Sequence, residues 1–91
     1  MGSEYRLRFQ NADKGDVIDS LGHLQDAKLI SPEELEFRAT GNSSRMPDAT
    51  VKAEPGGLYF CDHGGAGRDY LGRVVAKLLS AYGSVTVQEY E

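Results

Sequence analysis

The stretch from Cys61 to Asp69 gathers the residues of this chain most suited to chemistry. Cys61, Asp62 and His63 are followed by Gly64, Gly65, Ala66, Gly67 and Arg68. Alternate residues of a strand share a face, so Cys61 and His63 can lie on one side. A thiolate beside an imidazole is the chemistry of a cysteine nucleophile. The pattern offers no third residue to orient the histidine. A half-buried cysteine next to a loop histidine is the plainer reading. The chain is therefore expected not to be an enzyme, and a small cysteine-dependent enzyme stands as the third reading of its function.

The glycines of the same stretch suggest different chemistry. Glycines between a strand and a helix let backbone N–H groups converge on an anion at the helix N-terminus. Gly64, Gly65, Gly67 and Arg68 form the expected anion-binding set. No Gly-Lys-Ser/Thr closes a P-loop, and Gly65-x-Gly67 lacks the third glycine of a dinucleotide fingerprint. A tight strand-to-helix turn explains the same glycines without a ligand. With only His23, His63 and Cys61 as nitrogen or sulfur ligands, no zinc site is expected. Asp13, Asp16 and Asp19 do not follow the spacing of a calcium loop. No metal and no cofactor is expected.

Two surfaces could take a partner. Asp16, Asp19 and Asp26, with His23 among them, fall opposite the apolar stripe of the first predicted helix. Such an acidic ridge can steer a basic protein, although solubility alone would explain it. The sheet face away from the helices is expected to show Arg6, Arg8, Glu36, Arg38, Thr50, Lys52, Tyr59, Cys61, Thr86, Gln88 and Tyr90. Tyrosine among arginines can stack bases, but residues 57–62 do not fit the aromatic pattern of RNA-recognition sheets, and Asp62 has the wrong charge. A protein partner fits better, with Arg6, Arg8 and Tyr59 as contacts, as does a homodimer through this open face.

The elements that position these residues follow from periodicity. Tyr5, Leu7 and Phe9 alternate with polar residues and predict a strand. Asp13 or Asp16 can cap a helix over residues 13–27, with Val17, Ile18, Leu21, Leu24 and the Lys28 stem on one face. Ser31, Pro32 and Glu34 resemble a capping box and predict a short helical turn. Residues 35–40 alternate as a second strand. Residues 41–48 read as a loop, the expected mobile segment. Residues 49–54 and 58–61 flank the Pro55-Gly56-Gly57 turn as a hairpin. Leu71, Val74, Val75, Leu78, Leu79 and Tyr82 predict a second helix that Gly83 ends. Residues 84–90 form a last strand.

A faint repeat at an offset of fifty aligns Gly22 with Gly72. A glycine inside a helix costs about 1 kcal/mol relative to alanine. Two of them are expected to mark close approach of the two helices. The order of elements resembles the ferredoxin-like split βαβ arrangement. That resemblance implies an α+β sandwich, with two helices on one face of a four- or five-stranded, mostly antiparallel sheet. Five strand candidates compete for its four places.

Composition sets the outer limits. At 91 residues one domain is expected, residues 1–91, with Met1-Gly2-Ser3 a candidate expression scar. A net charge of −4 argues against a nucleic-acid partner, which needs a basic footprint. A single cysteine suits a reducing cytoplasm. No apolar run approaches the roughly 20 residues of a membrane helix. The leading expectation is a small, acidic, non-catalytic protein-binding module, with a toxin-neutralising immunity-type protein as its concrete form and a basic partner. The alternative is an anion- or small-ligand-binding regulatory domain built on residues 64–68.

Overall fold

The computed structural model describes residues 3–90. Met1 and Gly2 of the candidate scar lie outside the described residues, as does the side chain of Tyr90. Ser3 belongs to the fold, because it opens the first strand and pairs with Asp62.

The chain runs β1 (Ser3–Arg8), α1 (Lys14–Gly22), β2 (Ala27–Ser31), β3 (Glu34–Phe37), β4 (Ala49–Glu54), β5 (Gly57–Asp62), α2 (Gly67–Tyr82) and β6 (Thr86–Tyr90). The protein is α+β, with two helices and one open antiparallel sheet in the order β2-β3-β4-β5-β1-β6. The sheet therefore has six strands rather than four or five. Strands β2 to β5 form a meander, and β1 is inserted between β5 and β6. Since each neighbouring pair is antiparallel, β5 and β6 run parallel with β1 between them, linked through α2.

The alternation read from the sequence is the burial pattern observed. Tyr5 and Leu7 of β1, Leu35 and Phe37 of β3, Val51 and Ala53 of β4, and Leu58 and Phe60 of β5 all point to one face. Val17, Ile18 and Leu21 of α1 and Tyr70, Val74 and Leu78 of α2 join the same core, so both helices cover that face. Phe37 and Phe60 are fully buried; truncating either to alanine would cost about 3–5 kcal/mol. The Pro55-Gly56 turn holds Gly56 at φ +79°, the backbone that a type II turn assigns to glycine.

The main departure from expectation lies after α1. Asp13 caps the helix, its carboxylate accepting the Asp16 N–H at 3.1 Å. The helix then ends at Gly22, several residues short of the predicted end. Asp26 takes a φ of +71° and reverses the chain into β2. Residues 27–31 are thus a strand, where the spacing predicts a helix end at residue 27 and a connection after it. The Ser31-Pro32-Glu33-Glu34 segment is the turn of the β2–β3 hairpin, not a helical turn. Its short-range contacts are still made, with the Glu33 N–H donating to the Ser31 hydroxyl at 3.4 Å. The paired-glycine expectation also fails. A Cβ built at Gly22 or Gly72 meets nothing within 4 Å, so neither marks a helix contact.

Candidate functional site

Three places collect the residues singled out by the sequence. The first is a cleft of about 440 Å³ where the irregular segment 38–48 meets the strand-to-helix connection, lined among others by Asn42, Met46, His63, Gly64 and Gly65. Its organiser is Asp48, which no sequence motif singles out. Asp48 is only 6% exposed. Its carboxylate accepts the Ala66 N–H at 2.8 Å, the Ala39 N–H at 3.3 Å and the Asn42 side-chain amide. The Ala66 N–H, with the Asn42 and Ala39 donors, holds the Asp48 carboxyl below the usual carboxylate range, against the opposing effect of burial.

The glycine connection is therefore already engaged at three of its amides, the Gly67 N–H donating to the Gly64 carbonyl at 2.9 Å. Ala66 N–H donates to Asp48, and Gly64 N–H donates to the Asp62 carboxylate at 2.8 Å. Gly67 sits where no side chain fits, because a Cβ there would lie 2.0 Å from Asp62 Oδ1 and 2.7 Å from the Asp48 carbonyl oxygen. Gly65 and Arg68 are exposed. The turn is tight, and two carboxylates of the chain itself occupy donors that a bound anion would use.

Residues 41–48 have no regular secondary structure, as their composition predicts, and residues 38–40 join them because the strand predicted over 35–40 ends at Phe37; the whole 38–48 segment is internally bonded. The Arg38 guanidinium donates to the Ser44 carbonyl at 2.6 Å, and Ser44 N–H donates to Asn42 Oδ1 at 2.9 Å. The Gly41-Asn42-Ser43-Ser44 run carried the signal for that Asx turn. Nothing comparable in the sequence marks Asp48.

Cys61 and His63 do share a side. Their Sγ and Nδ1 atoms lie 3.7 Å apart, and His63 Nε2 lies 3.1 Å from the Thr50 hydroxyl. Thr50 is the third residue that the linear pattern did not reveal, since it comes from the neighbouring strand at the Cys61 register position. Burial pushes the Cys61 thiol up, reinforced by the Glu4 and Asp62 carboxylates. That direction disfavours the thiolate a nucleophile requires. Among the described residues, no three histidine, cysteine, aspartate or glutamate side chains gather as a metal site.

The second place is the sheet face opposite the helices. Arg6, Tyr59 and Lys52 form one cross-strand row, and Glu4, Cys61, Thr50 and Glu36 form the next. Opposite charges and polar groups are paired across it. Arg6 Nε lies 3.1 Å from Glu54, Arg38 Nε lies 3.5 Å from Glu36, and the Tyr59 hydroxyl donates to Glu4. Burial, with the hydrogen bond to Glu4, pushes the Tyr59 hydroxyl well up. Arg8 is exposed near the β4–β5 turn.

The third place is the flank of α1. Asp16, Asp19 and His23 are exposed there, as the helical spacing predicts. Asp26 is not part of that ridge. It lies beyond the helix, partly buried, and its carboxylate accepts the Tyr70 hydroxyl at 2.6 Å. Burial and that bond raise the Tyr70 pKa to about 12. Beside α1, a groove of about 350 Å³ is lined by Ile18, Asp19, His23, Leu29, Pro32 and Leu35, with Gly15 and Gly22 completing it. Leu29 and Ile30, on β2, are 58% and 47% exposed. The linear pattern places them in a connection after the helix rather than on a strand.

No protein-family model, curated protein or solved structure matches this chain.

Proposed function

We propose that this protein is a non-catalytic binding module that acts by occupying a protein partner, with a toxin-neutralising immunity-type protein as its concrete form. The observation that carries the reading is the flank of α1. There the exposed carboxylate of Asp19 lines one groove with exposed Leu29, and exposed Asp16 stands one helical turn away on α1. Apolar side chains left at the surface next to unsatisfied charge are the composition of a protein interface. The acidic sign favours a basic partner, such as a nuclease-like toxin. Nucleic acid suits this surface poorly, and a reducing cytoplasm suits the free thiol of Cys61. Among the described residues, no helix is long and apolar enough to cross a membrane.

The architecture fits an enlarged ferredoxin-like arrangement. The β5-α2-β6 unit, with β1 between its strands, is a split βαβ, and the extra strands lengthen the meander on the other side. The test of function is affinity capture from the native host with the wild-type chain and an Asp16→Lys/Asp19→Lys variant. The expected result is a basic protein retained by wild type at low salt and lost with the variant. A partner retained equally by both removes α1 from the reading, and no retained protein at any salt overturns it.

The alternative is an anion- or small-ligand-binding domain built on Gly64, Gly65, Gly67 and Arg68, favoured by the cleft beside those glycines. Thermal stabilisation by inorganic phosphate, lost in Arg68→Ala, would support it. A homodimer through the open sheet face would bury Arg6, Arg8 and Tyr59, and sedimentation of wild type against Tyr59→Ala decides that point.

A further inference from the structure

We infer that the groove between α1 and β2 takes an extended basic and apolar segment of the partner, added as a new strand on the free edge of β2. The inference rests on the protein-binding reading and names its site and the chemistry of its occupant. Strand β2 is the outer strand of the sheet, paired on one side only. The Arg38 N–H donates to the Asp26 carbonyl, and the same register continues through Ala27↔Phe37, Lys28↔Glu36 and Leu29↔Leu35. In an antiparallel ladder, hydrogen-bonded and non-hydrogen-bonded pairs alternate. Residues 26 and 28 therefore face β3, and Leu29 turns its main-chain N–H and C=O toward the free edge. An edge of this kind is a template for an added strand.

The side chains beside that edge specify what the added strand must carry. Leu29 stands on the helix side of the sheet, opposite buried Leu35, yet is mostly exposed. Ile18, Leu29, Pro32 and Leu35 make the groove apolar, and Gly22 leaves open space where a side chain would stand. Alternate residues of an added strand would enter it on the helix side, so those positions call for apolar side chains against Leu29 and Leu35 and basic ones against Asp19. Asp19 lines the groove, and exposed Asp16 stands one helical turn away. The nearby lysine of the helix, Lys14, is 3.2 Å from Glu33 and already neutralised. Lys28 lies on the other face of β2, opposite Glu36. Carboxylates on the helix side of the groove, with Lys14 and Lys28 directed elsewhere, favour lysine or arginine at helix-side positions of the incoming strand. They also disfavour a second copy of this chain, which would bring the same aspartates.

The probe is a capped heptapeptide, Val-Thr-Lys-Thr-Val-Thr-Lys, whose valines and lysines share one face of a strand, titrated into the full chain and followed by backbone amide chemical shifts. The expected result is saturable binding, with shifts concentrated in residues 15–35 and affinity falling as salt rises. Asp16→Lys/Asp19→Lys is expected to weaken it at least tenfold. Two control peptides leave the protein untouched. An analogue with glutamate for lysine is expected not to bind. A peptide N-methylated at alternate amides, which loses its ladder hydrogen bonds, is expected to bind at least tenfold more weakly. Equal binding of the N-methylated peptide overturns strand addition, and equal binding of the glutamate analogue overturns the charge assignment. Shifts centred on the open sheet face, or dimerisation through β2 without peptide, overturn the site. If host capture still yields a partner sensitive to Asp16 and Asp19 while the peptide fails, the binding reading survives and the strand-addition inference falls.

Discussion

The Asp48 cleft and the α1–β2 groove use their polar groups in opposite ways. Around Asp48, donors and acceptors satisfy one another inside the chain. The carboxylate takes two backbone amides and a side-chain amide, and Asp62 takes a third backbone amide. Along α1, Asp16 and Asp19 face solvent, and Leu29 and Ile30 on β2 remain exposed. The first region has the motif-like sequence, with cysteine, histidine and glycines in a row. The second has an ordinary amphipathic helix and a short strand. A polar cluster that is internally satisfied fixes structure, whereas charges and apolar groups left outward are available to a partner.

The contrast breaks most readily at Asp48. Asp48→Ala leaves buried donors without an acceptor, and a loss of about 3–4 kcal/mol in urea unfolding is expected. A loss comparable to a surface substitution would mean that the clasp is not structural. The same carboxylate predicts a pH dependence. Its folded pKa lies below the unfolded value of 3.8. Its contribution is therefore complete above the unfolded value and lost as pH falls through the lower folded one. The stability gap between wild type and Asp48→Asn should narrow below pH 3.8. A gap that stays constant to lower pH would remove the charge from the account.

Glycine substitutions sharpen the comparison. Gly67→Ala drives a Cβ into Asp62 and the Asp48 backbone; about 1–3 kcal/mol of destabilisation is expected in thermal or urea unfolding. Gly72→Ala adds its methyl to open space on an exposed helical turn. It should raise stability by about 0.5–1 kcal/mol. Equal effects at the two glycines would erase the distinction between a packed connection and a solvent-facing helix. The smallest change is expected on α1. Asp19→Lys should shift unfolding by no more than about 0.5 kcal/mol, because the side chain is exposed. A larger loss would mean that the ridge serves folding rather than binding.

Much of this layout was legible in the residues. Alternation at Tyr5, Leu7, Val51, Ala53, Leu58 and Phe60 placed the buried face of three strands. The spacing of Val17, Ile18 and Leu21, and of Val74 and Leu78, placed the buried faces of the helices. The turn at Pro55-Gly56 and the end at Gly83 followed from local backbone preference. These features depend on neighbours within a turn or two, so sequence order contains them.

Only the tertiary structure could decide the rest. Ala27 to Ser31 has a pattern that helix and strand both accept, and pairing with β3 chose the strand. That choice took Asp26 out of the acidic ridge and put Leu29 and Ile30 at an edge. Thr50 reached His63, and Asp48 reached Ala66, only because distant segments were folded together. The sequence by itself determined which residues would be buried along each main element, because burial there follows a local period. Which polar groups would be satisfied internally, and which left for a partner, depended on contacts between segments far apart in the chain.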